Sequence, residues 1–217
     1  MSKEQFRVAI VIPAFNEDKT IGQVIKSISE YGTVIVVNDA STDNTINEAK
    51  KMGAIVINHL INKGYDEALN SGFKKASELD FNAIITFDAD GQHSHELLPI
   101  YIDLLRQGVD LVLGVRPRKQ RFSETLFALY TKLRLGWSDP LCGMKGYSMD
   151  LYTKLGYFDS MGSIGTELAL FGIHNDFQFT EVEIPEIKRQ DSPRFYSLCV
   201  ANFKIIKSLI KLGRKYG

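Results

Sequence analysis

The chain has 217 residues, 44% hydrophobic and 24% charged, with 26 Lys and Arg against 26 Asp and Glu, so its formal net charge is zero. That length is one domain able to bury its own core, and neutrality argues against a protein that holds nucleic acid by bulk positive charge. Two cysteines, Cys142 and Cys199, are too few for a disulfide framework and lack zinc-site spacing, no apolar run nears the ~20 residues of a membrane span, and the N-terminus lacks a secretory pattern, so a soluble or peripheral cytoplasmic protein is expected.

In chain order, short β-branched runs alternate with amphipathic stretches, the pattern of βαβ units and a mostly parallel sheet. RVAIVI (7–12), TVIVV (33–37), AIVI (54–57), AIITF (83–87) and DLVLG (110–114) read as strands. Their near-continuous apolar character is that of strands covered on both faces. Helices are expected at 18–30, 43–52, 64–79 and 94–107, with Asn16 or Asp18, Ser41 or Thr42, and Ser94 as caps. Beyond Gly114 the rhythm breaks into a basic segment (116–134) and a Gly-containing stretch (139–147). A short helix at 150–155, a helix at 164–174, a strand at 178–184 and a basic final helix follow. The fold class is therefore α/β, a single Rossmann-like domain with helices flanking a mostly parallel sheet. Its divisions are a nucleotide-binding half (about 1–115), an acceptor half (about 116–196) and the final helix (about 197–217).

In such a sheet, ligands sit at the carboxyl ends of the strands. The loops there are PAFNE (13–17), NDASTDNT (38–45), NHLINKGYDEALNSG (58–72) and DADGQH (88–93). Each alone is an ordinary set of turn and cap residues, but four on one edge point to a site. In DAD, two carboxylates at i and i+2 share a side of an extended strand end. Asp88 and Asp90 could hold one hard divalent cation, with Gln92 as a further oxygen ligand. Two like charges beside a hydrophobic strand are costly without such a cation.

IPAFNE, VVNDASTDNT, NKGYDEALNSGFKKA and FDADGQH, followed by LVLGVR, DPLCGMKGY, TELAL and EVEIPEIKRQDSPRF, resemble in order and spacing the inverting family 2 glycosyltransferases of the GT-A fold, in particular the dolichyl- or polyprenyl-phosphate sugar synthases. The resemblance spans about residues 7–196. It implies a nucleotide-sugar donor, GDP- or UDP-linked, and a divalent cation, Mg or Mn, bound directly by Asp90 and Gln92, with Asp88 on the ribose or the metal. It also implies a base and ribose pocket lined by Pro13, Phe15, Glu17 and Asp39, and a loop with Lys63 and Gly64 over the nucleotide. The sequence departs from the family pattern at Phe15 (often Tyr), at Asn38 (usually Asp), at GYD (64–66, often GLG) and at DSPR (191–194).

The acceptor side depends on the nucleophile. A lipid phosphate is already ionised and needs cations rather than a base, and Arg116, Arg189 and Arg194 are the candidates. A sugar hydroxyl of a growing glycan would need a carboxylate base, which Asp139 or Glu167 could supply. The catalytic set is thus Asp90, Asp139, Glu167 and Arg116. Arg118, Lys119 and Arg121 read as a solvated or mobile stretch. His93 could touch phosphate, whereas His59, His95 and His174 read as structural or solvated. From Val200 to Leu212 a wheel sets Lys204, Lys207 and Lys211 against Ile205, Ile206, Leu209, Ile210 and Leu212, a helix that can lie at a membrane surface or dock on its own core.

Two other classes are weighed. A strand ending in DxD can announce an aspartyl-phosphate phosphatase, but Gln92 and the mid-chain position speak against it. A non-catalytic nucleotide-sugar sensor would not need the second half. The absence of G-x-G-x-x-G after the first strand and of G-x-x-x-x-G-K-[ST] disfavours dinucleotide and P-loop enzymes. Counted by segment, the net charge is −6 over 1–115, +5 over 116–134, −6 over 135–187 and +7 over 188–217. Neutrality thus conceals two basic segments where an anionic acceptor or membrane would be met.

Overall fold

The structure is a computed structural model that describes residues 6–91, 94–119, 121–185 and 198–216. Seven strands form one sheet: β1 (Val8–Ala14), β2 (Thr33–Asp39), β3 (Ile55–His59), β4 (Ala83–Thr86), β5 (Leu111–Val115), β6 (Lys145–Ser148) and β7 (Phe179–Glu183). Their order is β3-β2-β1-β4-β6-β5-β7. All pairings are parallel except those of β6, which runs antiparallel to both β4 and β5. The helices are α1 (Ile21–Ile28), α2 (Thr45–Lys51), α3 (Tyr65–Glu78), α4 (Leu98–Arg106), α5 (Phe122–Leu135), α6 (Met149–Leu155), α7 (Glu167–His174) and α8 (Leu198–Tyr216).

The expected mostly parallel α/β sheet is what forms, because the central strands are apolar on both sides. Ile10 and Ile12 of β1 face one helical layer, with α1 and α4, and Ala9 and Val11 face the other, with α3 and α7. All four are fully buried. Strand alternation thus splits one run of sequence between two cores. Gly72 brings α3 down on the sheet. A Cβ there would stand 2.3 Å from a Val11 methyl.

Two elements went unanticipated. The basic segment contains α5, whose apolar residues are split between a buried and an exposed side, so no single apolar stripe announces it. The Gly-containing stretch contains β6, only four residues long and carrying a lysine. The expected caps are also corrected. Thr20 and Asn44 stand at the boundaries of α1 and α2, neither with a side-chain cap bond, and Ser94 makes none before the 3-10 turn His95–Leu97. The side chains of Asn16, Ser41 and Thr42 are drawn instead into bonds between the β1 and β2 loops.

Candidate active site

The chain runs outward from β1 to β2 and β3, then returns to place β4 on the other side of β1. Strand order therefore reverses between β1 and β4, and the loops leaving their carboxyl ends diverge to leave a crevice. PAFNE leaves β1 and DADG leaves β4 at that point.

The β1 and β2 loops are stitched together. Asn16 N donates to the Ser41 hydroxyl, Glu17 N to the Thr45 hydroxyl and Asp18 N to the Asp43 carboxylate, while Asn16 Oδ1 accepts from Thr42 N at 2.8 Å. Asn16 and Ala40 adopt left-handed backbone, φ 56° and 62°, which such cross-bracing sustains. Pro13 pairs with Val37 one residue before the last paired position of β1, and Phe15, just past the strand, is 36% exposed at the crevice. Glu17 sits half-buried in the same loop.

Asp39, 4% exposed, accepts from Lys63 N at 2.8 Å and Gly64 N at 2.7 Å, and pairs with His59 Nδ1 at 2.7 Å. It fixes the loop that precedes α3. His59, expected to be structural, bridges Asp39 to Ser71. Asn38 donates to Asn58, while its own buried Oδ1 has no partner among the described residues.

Asp88 and Asp90 are half-buried just past β4, with Ala89 between them turned into the core. The Asp88 carboxylate lies against the backbone of Gly143, where a Cβ would stand 2.5 Å from Oδ2. Thr86 locks the same strand end, donating to the Gly143 carbonyl at 2.6 Å and accepting from Lys145 N at 3.0 Å. Among the described residues no three His, Cys, Asp or Glu side chains are grouped to hold a metal alone. Two hard carboxylates at the mouth of the crevice nevertheless have the donor chemistry for a divalent cation, which would need further oxygen ligands beyond these two. Gln92 and His93, as well as Arg189 and Arg194, lie outside the described residues.

The structure brings Arg116 and Asp139 together as partners of each other. Arg116 Nε and Nη2 hold both oxygens of Asp139 at 2.8 and 2.9 Å, and Nη2 also reaches Glu124 at 3.2 Å. Lys119 and Arg121, expected in solvent, join this cluster, Lys119 at 3.3 Å from Asp139 and Arg121 at 2.8 Å from Glu124. Burial opposes the charge of Asp139, yet the Arg116 bonds outweigh it and lower its pKa; the same bonds raise that of Arg116. Glu167 is fully buried and accepts from Ser160, Tyr157 and Lys215 of α8. Neither carboxylate read as a base is therefore left unpaired.

The sequence reading missed a buried polar group beneath the α3 end of the site. Lys145 on β6 is 3% exposed, donates to the Gly165 carbonyl at 2.9 Å and lies 5.7 Å from the centre of the Trp137 ring. Burial lowers its pKa to about 8, with Cys142, Asp139 and Asp88 pulling it back up. Asp66 accepts from Gly165 N at 2.6 Å and Ile164 N at 3.3 Å. Burial, then the nearby Asp159 charge, pushes its pKa up to about 6. Asp159 itself gathers Met161 N, Gly162 N and Ser163 N. Burial, with the Asp88 and Asp66 charges next, keeps the Tyr65 hydroxyl neutral well above its usual range. The GYD that stands in place of GLG thus supplies two groups to this cluster. The only signals in the sequence were Lys145 at the end of DPLCGMK and a carboxylate in a loop of otherwise small residues.

The pattern of glycosyl transferase family 2 matches residues 9–158. A protein of uncharacterised function from Methanocaldococcus jannaschii is 31% identical, over 94% of this chain and 90% of its own. The dolichyl-phosphate hexose transferase of Haloferax volcanii is 29% identical, over 84% and 83%. The glucosyl-3-phosphoglycerate synthase of Mycobacterium tuberculosis, solved with Mn2+ and UDP-glucose, superposes with a TM-score of 0.75 at 22% identity, covering 94% of this chain and 78% of that one. At that identity the likeness is one of fold.

Proposed function

The chain belongs to glycosyl transferase family 2 and is a glycosyltransferase, and on that premise we propose that it moves a sugar, with inversion, from a GDP- or UDP-sugar to a polyprenyl phosphate. Pro13, Phe15, Glu17 and Asp39 line the base and ribose, with the Phe15 ring free to stack. Asp39 also holds the Lys63–Gly64 loop down over the nucleotide. Asp88, Asp90 and Gln92 would hold Mg or Mn, which when bound stabilises the departing diphosphate as a Lewis acid. Arg116, oriented by Asp139, and Arg189 and Arg194 receive the acceptor phosphate.

One observation favours phosphate over hydroxyl as the nucleophile. Asp139 is paired with Arg116 and Lys119, and Glu167 with Lys215. Burial opposes the charge of Asp139, but the Arg116 bonds lower its pKa overall and make it a weak base, while the oxygens of Glu167 are already engaged by Ser160, Tyr157 and Lys215. A phosphate monoester needs no base, since its attacking oxygen is already ionised. Relatives named as dolichyl- and undecaprenyl-phosphate sugar transferases support the same acceptor class, and the Mn2+ and UDP-glucose of the structural neighbour support the donor and cation.

The test is a thermal-shift panel of GDP-, UDP- and dTDP-sugars with Mn2+ and then EDTA, followed by incubation of the best labelled donor with polyprenyl phosphate. Stabilisation that EDTA reverses, and label in an organic-phase product, are expected. Stabilisation indifferent to EDTA would remove the metal from the reading, and label confined to water-soluble glycan would reassign the acceptor. Asp90→Ala is expected to lower turnover by at least two orders of magnitude while leaving the melting curve of the unliganded protein in place. Wild-type turnover in that variant would show the cation site to be elsewhere.

A further inference from the structure

Helix α5 carries Phe122, Leu126, Leu129 and Leu133 at spacings of four, three and four, which is one stripe of a helix. They are exposed by 82%, 42%, 53% and 78%. The opposite side of α5, through Phe127 and Thr131, is buried in the core. Helix α8 repeats the arrangement. Ile205, Ser208 and Leu212 are buried, while Phe203, Ile206 and Ile210 stay exposed by 67%, 41% and 52%. The two helices run side by side in the same direction. The Ser123 hydroxyl meets Asn202 near their starts, and Tyr130 packs on Gly213 further along. Each stripe lies opposite the side its helix turns to the core, so the pair presents one continuous apolar face.

Cations border this face. Lys132 and Arg134 of α5 and Lys207 and Arg214 of α8 are exposed. The single acid in either helix, Glu124, is buried and paired with Arg116 and Arg121. Lys211 and Lys215 are not part of the border, since they donate to the Met161 carbonyl and to Glu167. An apolar stripe flanked by cations and lacking exposed acids is complementary to a bilayer with anionic headgroups. A second copy of the chain would bring like charges together, which opposes self-association through this face. The segment from Arg116 to Arg121 leads from the carboxyl end of β5 directly into Phe122, so the face begins beside the Arg116–Asp139 pair.

We propose that the paired outer faces of α5 and α8 form a docking surface for an anionic lipid bilayer, with the apolar stripes entering the headgroup boundary and the bordering cations meeting lipid phosphates. This goes beyond a surface-lying final helix, because half of the surface belongs to α5 and two lysines of α8 are engaged by oxygens of the protein itself. It names the membrane partner of the proposed transfer but is tested without it.

The experiment is co-sedimentation of the full chain, with no donor or acceptor present, with vesicles of phosphatidylcholine alone and of phosphatidylcholine with phosphatidylglycerol. Binding to the anionic vesicles is expected to exceed binding to the neutral ones on the order of tenfold or more. Two variants confined to exposed α5 positions, Leu129→Gln with Leu133→Gln and Lys132→Glu with Arg134→Glu, should each weaken anionic-vesicle binding on the order of tenfold, with unchanged circular dichroism. Ile206→Gln with Ile210→Gln should match them. Wild-type binding in the α5 variants, or no preference for anionic vesicles, would overturn the proposal. So would a concentration-dependent dimer in solution that the same substitutions abolish. Transfer to a short, water-soluble prenyl phosphate in the absence of vesicles should be unaffected by these variants, so loss of docking and failure of the transfer reading give different results.

Discussion

At Gly143 the absence of a side chain makes room for the Asp88 carboxylate. The Asp88 carboxylate occupies the space a Cβ would fill, so Gly143→Ala must push aside a carboxylate proposed to hold the cation. The expected result is a fall in kcat/KM of more than tenfold, and a weaker Mn2+-dependent thermal shift. Circular dichroism should not change, because the displaced group lies at the mouth of the crevice and not in the core. Asp66 makes a different prediction. Its folded-state pKa is raised from 3.8 to about 6, so the folded protein binds this proton more tightly than the unfolded chain. Its contribution to stability is complete below pH 3.8 and is lost as pH rises to about 6. Asp66→Asn keeps an oxygen for Gly165 N but cannot ionise. The melting temperature of wild type minus that of the variant should therefore fall between about pH 4 and 6 and stay level above. A flat difference across that range would mean that Asp66 ionises normally.

At the scale of the element, what was legible in the sequence depended on how its apolar residues are placed. β1, β2, β3, β4 and β5 were visible to within about two residues, because burial on both faces gives the inner strands an unbroken apolar run and the edge strand β3, only partly buried, keeps the β-branched Ile55, Val56 and Ile57. α3 was equally clear, but its closeness to the sheet was not. Gly72→Ala would set a methyl group against Val11 at a distance no pair of carbons tolerates. Overpacking of this kind costs about 1–3 kcal/mol, and denaturant unfolding should show a loss of that order with the m-value unchanged. α5 and β6 were missed for opposite reasons. α5 has apolar residues on both its sides, which erases the periodic signal. β6 is too short for any period, and it is a strand because Thr86, Ile85, Ile84 and Ala83 offer it a ladder. Pairing across 59 positions of sequence made Lys145 part of the site.

On the scale of the whole molecule, charge and topology are arranged together. The acidic loops gather at the carboxyl edge where the sheet order reverses, and α5 and α8 are drawn from the two basic segments of the sequence. Salt should separate the two surfaces. Raising ionic strength from about 0.05 to 0.5 M shortens the Debye length severalfold, so vesicle binding should drop strongly. Cation-dependent donor binding in the half-buried crevice should change much less, measured by the same thermal shift. Equal sensitivity of both would contradict the assignment of the exposed cations to the docking face. Among the described residues no helix is long and apolar enough to cross a membrane.

The order of the polar loops, the DAD at the end of a buried strand and the family pattern from Ile12 onward were determined by the sequence alone, because strand burial and turn chemistry are local properties that leave local marks. Tertiary structure decided which charges remain available. Arg116, Asp139 and Glu167 each look equally fit for catalysis in a string of residues. Only the fold reveals that Asp139 is 1% exposed and clasped by Arg116, and that Glu167 is buried under Lys215. Ion pairing and burial act between groups separated by tens of residues. The protonation and reach of a carboxylate are set by neighbours that its own stretch of chain does not contain.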